Sequence, residues 1–265
     1  MLPEIPAEQF AAALDDTIDA VLRAASIQAP PIDAFAAADA LGIVVARDDD
    51  QHGRARYVRL RMPRARGANG GGRESLIIEP PAKASILLRA DPRHERREWA
   101  VAHELGEHAA LHVFQRLGVD PREAPAAARE SIANHLASRL LLPTSWFQRD
   151  GRGCDWDLLA LKQRYATASH ELIARRMLDF ESTTIVTICD QGRVAFRRAA
   201  FGRRPPTLSP VENDCWQAAH RCGQADRRTH RGLQVRAWPI HEPGWKREIV
   251  RTELCDDSGD YCDSD

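Results

Sequence analysis

Arg96-Arg97-Glu98-Trp99-Ala100-Val101-Ala102-His103-Glu104-Leu105-Gly106-Glu107-His108 is the stretch from which the rest of the chain is read. It places a His-Glu pair and two more candidate ligands on one predicted helix. The pattern is one residue away from H-E-x-x-H, in which two His one turn apart hold a metal and the Glu beside the first is the general base. At i+4 from His103 stands Glu107, and a His follows one position late, at His108. Residues four apart on a helix are rotated by roughly 40° and displaced by about 6 Å, so side chains 103 and 107 can converge on one ion with Glu104 beside it. His108 is swung away from His103 by roughly 140°. A rival pair, His108 and His112, is also spaced i, i+4 on a different face, and its plain alternative is an exposed surface. Geometry favours the first pair, and both stay open.

A carboxylate is an acceptable zinc ligand, but replacing an imidazole by an anion changes the electrostatics of a bound water. Two Glu ligands would offset the cation's charge and leave that water less acidic than in a two-His, one-Glu site. Zn2+ is the first expectation, with a harder ion such as Mn2+ as the alternative.

The 265 residues are enough for one large domain or two small ones. A formal net charge of -1 gives no global field for nucleic acid or an anionic membrane. No apolar run reaches the roughly 20 residues needed to span a bilayer, and the N-terminus lacks a signal-peptide pattern, so the expectation is a cytoplasmic protein. Six Cys without a C-x-x-C pair are expected as free thiols.

Outward from the motif, Phe10, Leu14, Ile18 and Leu22 recur every fourth position and predict an amphipathic helix. Asp33 can cap a second helix ending at Gly42, and Ile43-Val44-Val45 reads as a strand. Val58, Leu60 and Met62 alternate with Arg59 and Arg61 as in a half-solvated strand, and a Gly-rich connection, 67–72, follows. Leu76-Ile77-Ile78 and Ile86-Leu87-Leu88 are further short strands ahead of the motif helix. Residues 126–142 predict a helix stopped by Pro143 that puts Glu130 and Asn134 on a common face. Residues 155–165 and 169–180 predict two short helices resembling a helix-turn-helix, read as a packing pair rather than a DNA reader. Beyond them come a hairpin turning at Asp190-Gln191-Gly192 and strands at 233–238 and 247–253.

At this point the sequence resembles the ImmA/IrrE family of zincin-like regulatory peptidases. The resemblance is carried by Ile32-Asp33-Ala34-Phe35 with Ala40-Leu41-Gly42-Ile43-Val44-Val45, by the motif stretch itself, and by Glu130-Ser131-Ile132-Ala133-Asn134-His135-Leu136-Ala137-Ser138-Arg139-Leu140-Leu141-Leu142-Pro143. It covers about residues 7–180, and Glu107 is its departure from the family pattern. It implies an α+β fold: a zincin-like peptidase domain with a small, mostly antiparallel sheet on the motif helices (1–150) and a helix-turn-helix-like extension (151–182); the residues beyond it read, from their own pattern, as a β-rich C-terminal region (183–253) before an acidic, disordered tail (254–265). It also implies a metal-dependent endopeptidase that cuts a protein such as a helix-turn-helix repressor, with His103 as a ligand, Glu104 as base and Glu130 as the third ligand. The strand before the motif helix, 85–89, is the candidate edge for an extended substrate.

Two other functions compete: a pseudo-peptidase that keeps the fold as a protein-binding regulator, and, more weakly, a DNA-binding regulator using 155–180. Nucleic acid and membrane are not the expected partners. Tyr165, His135, His170 and Arg139 are candidate oxyanion donors, each with an ordinary packing or surface explanation. Cys215, His220, Cys222 and His230 could in principle hold a second metal, although their spacing fits no common zinc module.

Overall fold

The computed structural model describes residues 5–50, 53–60 and 83–255. The Gly-rich connection, the expected strand at Leu76-Ile77-Ile78 and the acidic tail beyond Cys255 lie outside them. The chain divides into two compact units, one within Met1–Trp146 plus Tyr165–Ala168 and one within Phe147–Arg164 plus Ser169–Asp265. No helix among the described residues is long and apolar enough to cross a membrane.

The first unit opens with α1 (Ala7–Ala24), whose Leu14, Ile18 and Leu22 are buried as the four-residue spacing requires. In α2 (Ala34–Ala40), the Asp33 carboxylate accepts from the backbone N–H groups of Phe35 and Ala36. The N–H of Ala34 donates instead to Glu98 Oε2 at 2.8 Å, so a residue of the motif helix completes this helix start. Strands β1 (Val44–Arg47), β2 (Ala55–Leu60) and β3 (Lys83–Leu88) form a three-stranded sheet in the order β1-β3-β2. The β1 pair is parallel and the β2 pair antiparallel. This corrects the expected docking edge. The strand just before the motif helix is central, and both its hydrogen-bonding sides are taken, so residues 85–88 cannot accept another strand. Among the described residues, the edge strand that packs on the motif helix is β2.

The motif helix is α3 (His94–Arg116), and the helix carrying Glu130 is α4 (Ala126–Leu141). α3 packs against the sheet, α1, α2 and α4, so it is buried on several faces and has no clean apolar stripe. Ala102, Leu105 and Ala109 of α3 and Ala133, Leu136 and Ala137 of α4 are buried, and their small members let the two backbones come close. At Gly106 the approach is closest. A Cβ there would lie 2.5 Å from the Ala133 carbonyl oxygen. Gly106 stands between His103 and Glu107 in register, so this contact sets how near those residues come to Glu130.

The second unit holds α6 (Leu158–Arg164), α7 (His170–Met177), and a five-stranded antiparallel sheet with one long helix, preceded by most of α5 (Thr144–Gly153). The strands are β4 (Thr184–Asp190), β5 (Arg193–Ala199), β6 (Asp226–His230), β7 (Leu233–Glu242) and β8 (Trp245–Leu254), in the order β5-β4-β8-β7-β6. Gln191 and Gly192 both have positive φ in the β4–β5 turn, as the predicted tight hairpin needs. Helix α8 (Pro210–Cys222) was not expected, although Ser209 and Glu212 form a capping box at its start. Alternation along β8 sorts the two faces. Glu248, Val250 and Thr252 meet α8, whereas Arg247 donates to Glu171 of α7 on the other.

Candidate metal centre

One nitrogen of His103 and one oxygen each of Glu107 and Glu130 lie within 4.8 Å of one another. Two successive helices supply them. His103 and Glu107 come from one face of α3 at i, i+4, and Glu130 comes from the start of α4. His103 Nε2 is 3.6 Å from Glu130 Oε2. The other oxygen of Glu130 accepts from Asn134 Nδ2 at 3.1 Å, so Asn134 turns the carboxylate with Oε2 toward His103. The His103 side chain is 18% exposed and that of Glu130 59%, so the cluster opens to solvent along α4.

Glu104 is buried beside this cluster and accepts the backbone N–H of Tyr57, on edge strand β2, at 2.6 Å. Burial pushes its carboxyl above the usual carboxylate range. The Tyr57 N–H and His103 pull it down, and the neighbouring charges of Glu107 and Glu130 push it up again. A raised carboxyl pKa suits a group that must take up a proton near neutral pH and then release it.

His108 and His112 have different surroundings. His108 turns to β2, where its Nδ1 lies 2.7 Å from the Tyr57 hydroxyl. His112 lines a cavity of about 510 Å³ with Thr17, Val21 and Arg116. Neither joins a group of three metal-ligating side chains among the described residues. Two of the candidate oxyanion donors are engaged on the α1 side of α4. Arg139 Nε donates to Asp15 at 3.0 Å, and His135 meets the Phe10 ring edge-on. Tyr165 is fully buried, and His170 opens α7 in the other unit. Sequence reading missed Tyr57, because its contribution to Glu104 is a backbone N–H that any residue but Pro could offer.

The donor set suits a divalent ion. An imidazole and two carboxylates are borderline-to-hard ligands acceptable to Zn2+ or Mn2+, and the cluster would contract from separations of up to 4.8 Å to bring all three to ligand distance. A three-stranded sheet laid on a helix bearing a His-Glu pair, with a carboxylate from the next long helix, defines an α+β domain of metallopeptidase-like fold. The chain belongs to the family of the IrrE N-terminal-like domain, whose model matches residues 38–178. Among solved structures, ten chains match. One is a Mycobacterium tuberculosis transcriptional regulator at 17% identity and a TM-score of 0.61, over 92% of this chain and 76% of that one, a likeness of fold. No curated protein sequence matches.

Proposed function

We propose that this is a cytoplasmic, metal-dependent endopeptidase acting on a protein partner, with a transcriptional repressor as the substrate class suggested by family resemblance. His103, Glu107 and Glu130 would hold the ion, Zn2+ or alternatively Mn2+, and Glu104 would be the general base. The observation that carries the reading is the convergence of those three side chains from α3 and α4 with a buried carboxylate next to them. The ion would supply Lewis acidity toward the scissile carbonyl and lower the pKa of water.

The chain's own residues account for the rest. The Tyr57 N–H goes to Glu104, so the backbone groups of Tyr57 point away from β3, and by the strand's two-residue period those of Ala55 and Arg59 do too. That edge can align an extended peptide along β2 beside the cluster. Glu104 keeps Oε2 on the Tyr57 N–H and takes the proton of the attacking water on Oε1, then gives it to the leaving amine. Asn134 holds Glu130 in place during this exchange.

Metal analysis of the purified chain beside His103→Ala and Glu107→Ala tests the reading. One equivalent of divalent metal is expected to disappear in each variant. A wild type whose metal content neither substitution changes would sink it. Glu107 itself motivates a second reading, a pseudo-peptidase that binds its partner without cutting it, and Glu107→His separates the two. Gained metal affinity or proteolysis marks a decayed site, and loss marks a site built for Glu. The DNA-binding reading is weaker. Arg175 pairs with Glu171 and lies over the Phe196 ring, and Arg176 is buried against Asp179 and Phe180, so these two cations of α7 are engaged within the unit.

A further inference from the structure

On the α8 face of the five-stranded sheet, a second group of three donors comes together. His220, His241 and Glu248 each place one ligand atom within 4.8 Å of the others. The supporting elements differ for all three. Glu248 lies on β8. His241, on β7, is paired in register with Lys246, so Glu248 is its diagonal neighbour on the same face. His220 comes from α8, one turn after Trp216.

We propose that His220, His241 and Glu248 form a binding site for a divalent first-row transition ion, with Zn2+ as the best-fitting occupant, which fastens α8 to strands β7 and β8. Two imidazoles and one carboxylate are a donor set these ions accept in tetrahedral or more open geometries. Both rings aim at the same carboxylate oxygen. His220 Nδ1 is 2.9 Å and His241 Nε2 2.7 Å from Glu248 Oε1. The other oxygen accepts the indole N–H of Trp216 at 3.0 Å, which fixes the carboxylate's orientation as an outer-shell donor does at a metal site.

The dimensions fit. Ligands on a tetrahedral zinc at 2.0–2.1 Å are about 3.3 Å apart, so the rings need to withdraw from Oε1 by roughly half an ångström. They have the freedom to do so. The His220 and His241 side chains are 26% and 24% exposed, whereas Glu248 is fully buried. The exposed flank of the rings is both an entry path and a place for a fourth ligand. Without the ion, each ring can donate an N–H to Oε1. With it, those two protons move to the rings' other nitrogens and the freed lone pairs, with Oε1, face the cation.

Cys215, His220, Cys222 and His230, whose spacing fits no common zinc module, do not assemble. Cys215 is buried with its thiol on the carbonyls of Asp226 and Val235, while Cys222 and His230 are exposed, and only His220 takes part in a ligand cluster among the described residues.

The test uses the full-length chain in the His103→Ala background, stripped of metal by a chelator and titrated with Co2+, whose visible absorption reports nitrogen and oxygen ligands. One saturable equivalent is expected. Adding His220→Gln or His241→Ala should weaken it more than about 100-fold, and Trp216→Phe by about 10–100-fold, the usual cost of an outer-shell partner. Zn2+ should raise the thermal midpoint of the His103→Ala protein and lose that effect when His241→Ala is added. The wild-type stoichiometry separates this site from the first. Two equivalents in the wild type mean both sites bind, and a single wild-type equivalent that persists unchanged in His103→Ala means only this one does. No saturable Co2+ spectrum in His103→Ala, or one unchanged by both His substitutions, overturns the proposal.

Discussion

Replacing Gly106 by Ala tests the link between helix packing and the metal centre. The added methyl would sit 2.5 Å from the Ala133 carbonyl oxygen and 3.1 Å from that residue's Cα and carbonyl carbon. Restoring ordinary contact requires α4 to retreat from α3 by about 1 Å, against the grain of a packed interior. Overpacking of this kind costs about 1–3 kcal/mol, and the better helix propensity of Ala offsets up to about 1 kcal/mol of it. The expected net loss is about 1–2 kcal/mol. Glu130 lies one turn before Ala133 and moves with it, whereas ligand distances tolerate only about 0.2 Å. Zinc affinity of the His103-dependent equivalent should therefore fall by at least about 10-fold, as it does when a ligand's orientation is lost. Thermal unfolding and chelator competition measure the two effects. Gly153→Ala is the control, since a Cβ there meets nothing within 4 Å, and it should leave zinc affinity unchanged and the midpoint no lower than wild type. A Gly106→Ala protein with wild-type midpoint and wild-type zinc affinity would refute the idea that this backbone approach sets the cluster.

Two further predictions concern buried carboxylates. Glu98 is fully buried, and burial pushes its carboxyl up to about 7. Since the folded pKa is raised, its contribution is complete below about 4.5 and is lost as pH rises through about 7, at up to about 3 kcal/mol. Urea denaturation should show the wild type weakening between pH 5 and 8 and Glu98→Gln staying flatter and more stable at pH 8. Equal slopes would contradict the assignment. In the second unit, Glu212 is buried and accepts from Arg197, Thr252 and Ser209. Burial alone would raise its carboxyl, but these donors outweigh that and hold it below the usual range, so its contribution is present above about 4.5 and lost as pH falls through its folded value. Arg197→Met leaves that charge buried without its ion partner and should cost about 3–5 kcal/mol in urea denaturation at pH 7, and a cost below about 1 kcal/mol would show that the hydroxyl and backbone donors suffice.

Several elements were legible from local pattern. The four-residue spacing of Leu14, Ile18 and Leu22, the Asp33 cap and the Asp190-Gln191-Gly192 turn each name an element without reference to anything distant. α8 was not expected, although the Ser209 and Glu212 capping box that starts it is a local signature. The place of β3 was misjudged for a different reason. Strand order depends on which strands meet, and chain adjacency to α3 does not reveal it.

By itself, the sequence determined that His103 and Glu107 share a helix face and that Glu130 and Asn134 share another, since helical period is a property of the covalent backbone. It also determined that His108 faces away from His103. Tertiary structure alone decided that the two faces meet, through an approach that only a residue without a Cβ permits at Gly106. It likewise set Glu104 against the Tyr57 N–H, and gathered His220, His241 and Glu248 from a helix and two strands. Those meetings follow from burying several faces at once, and no spacing along the chain encodes them.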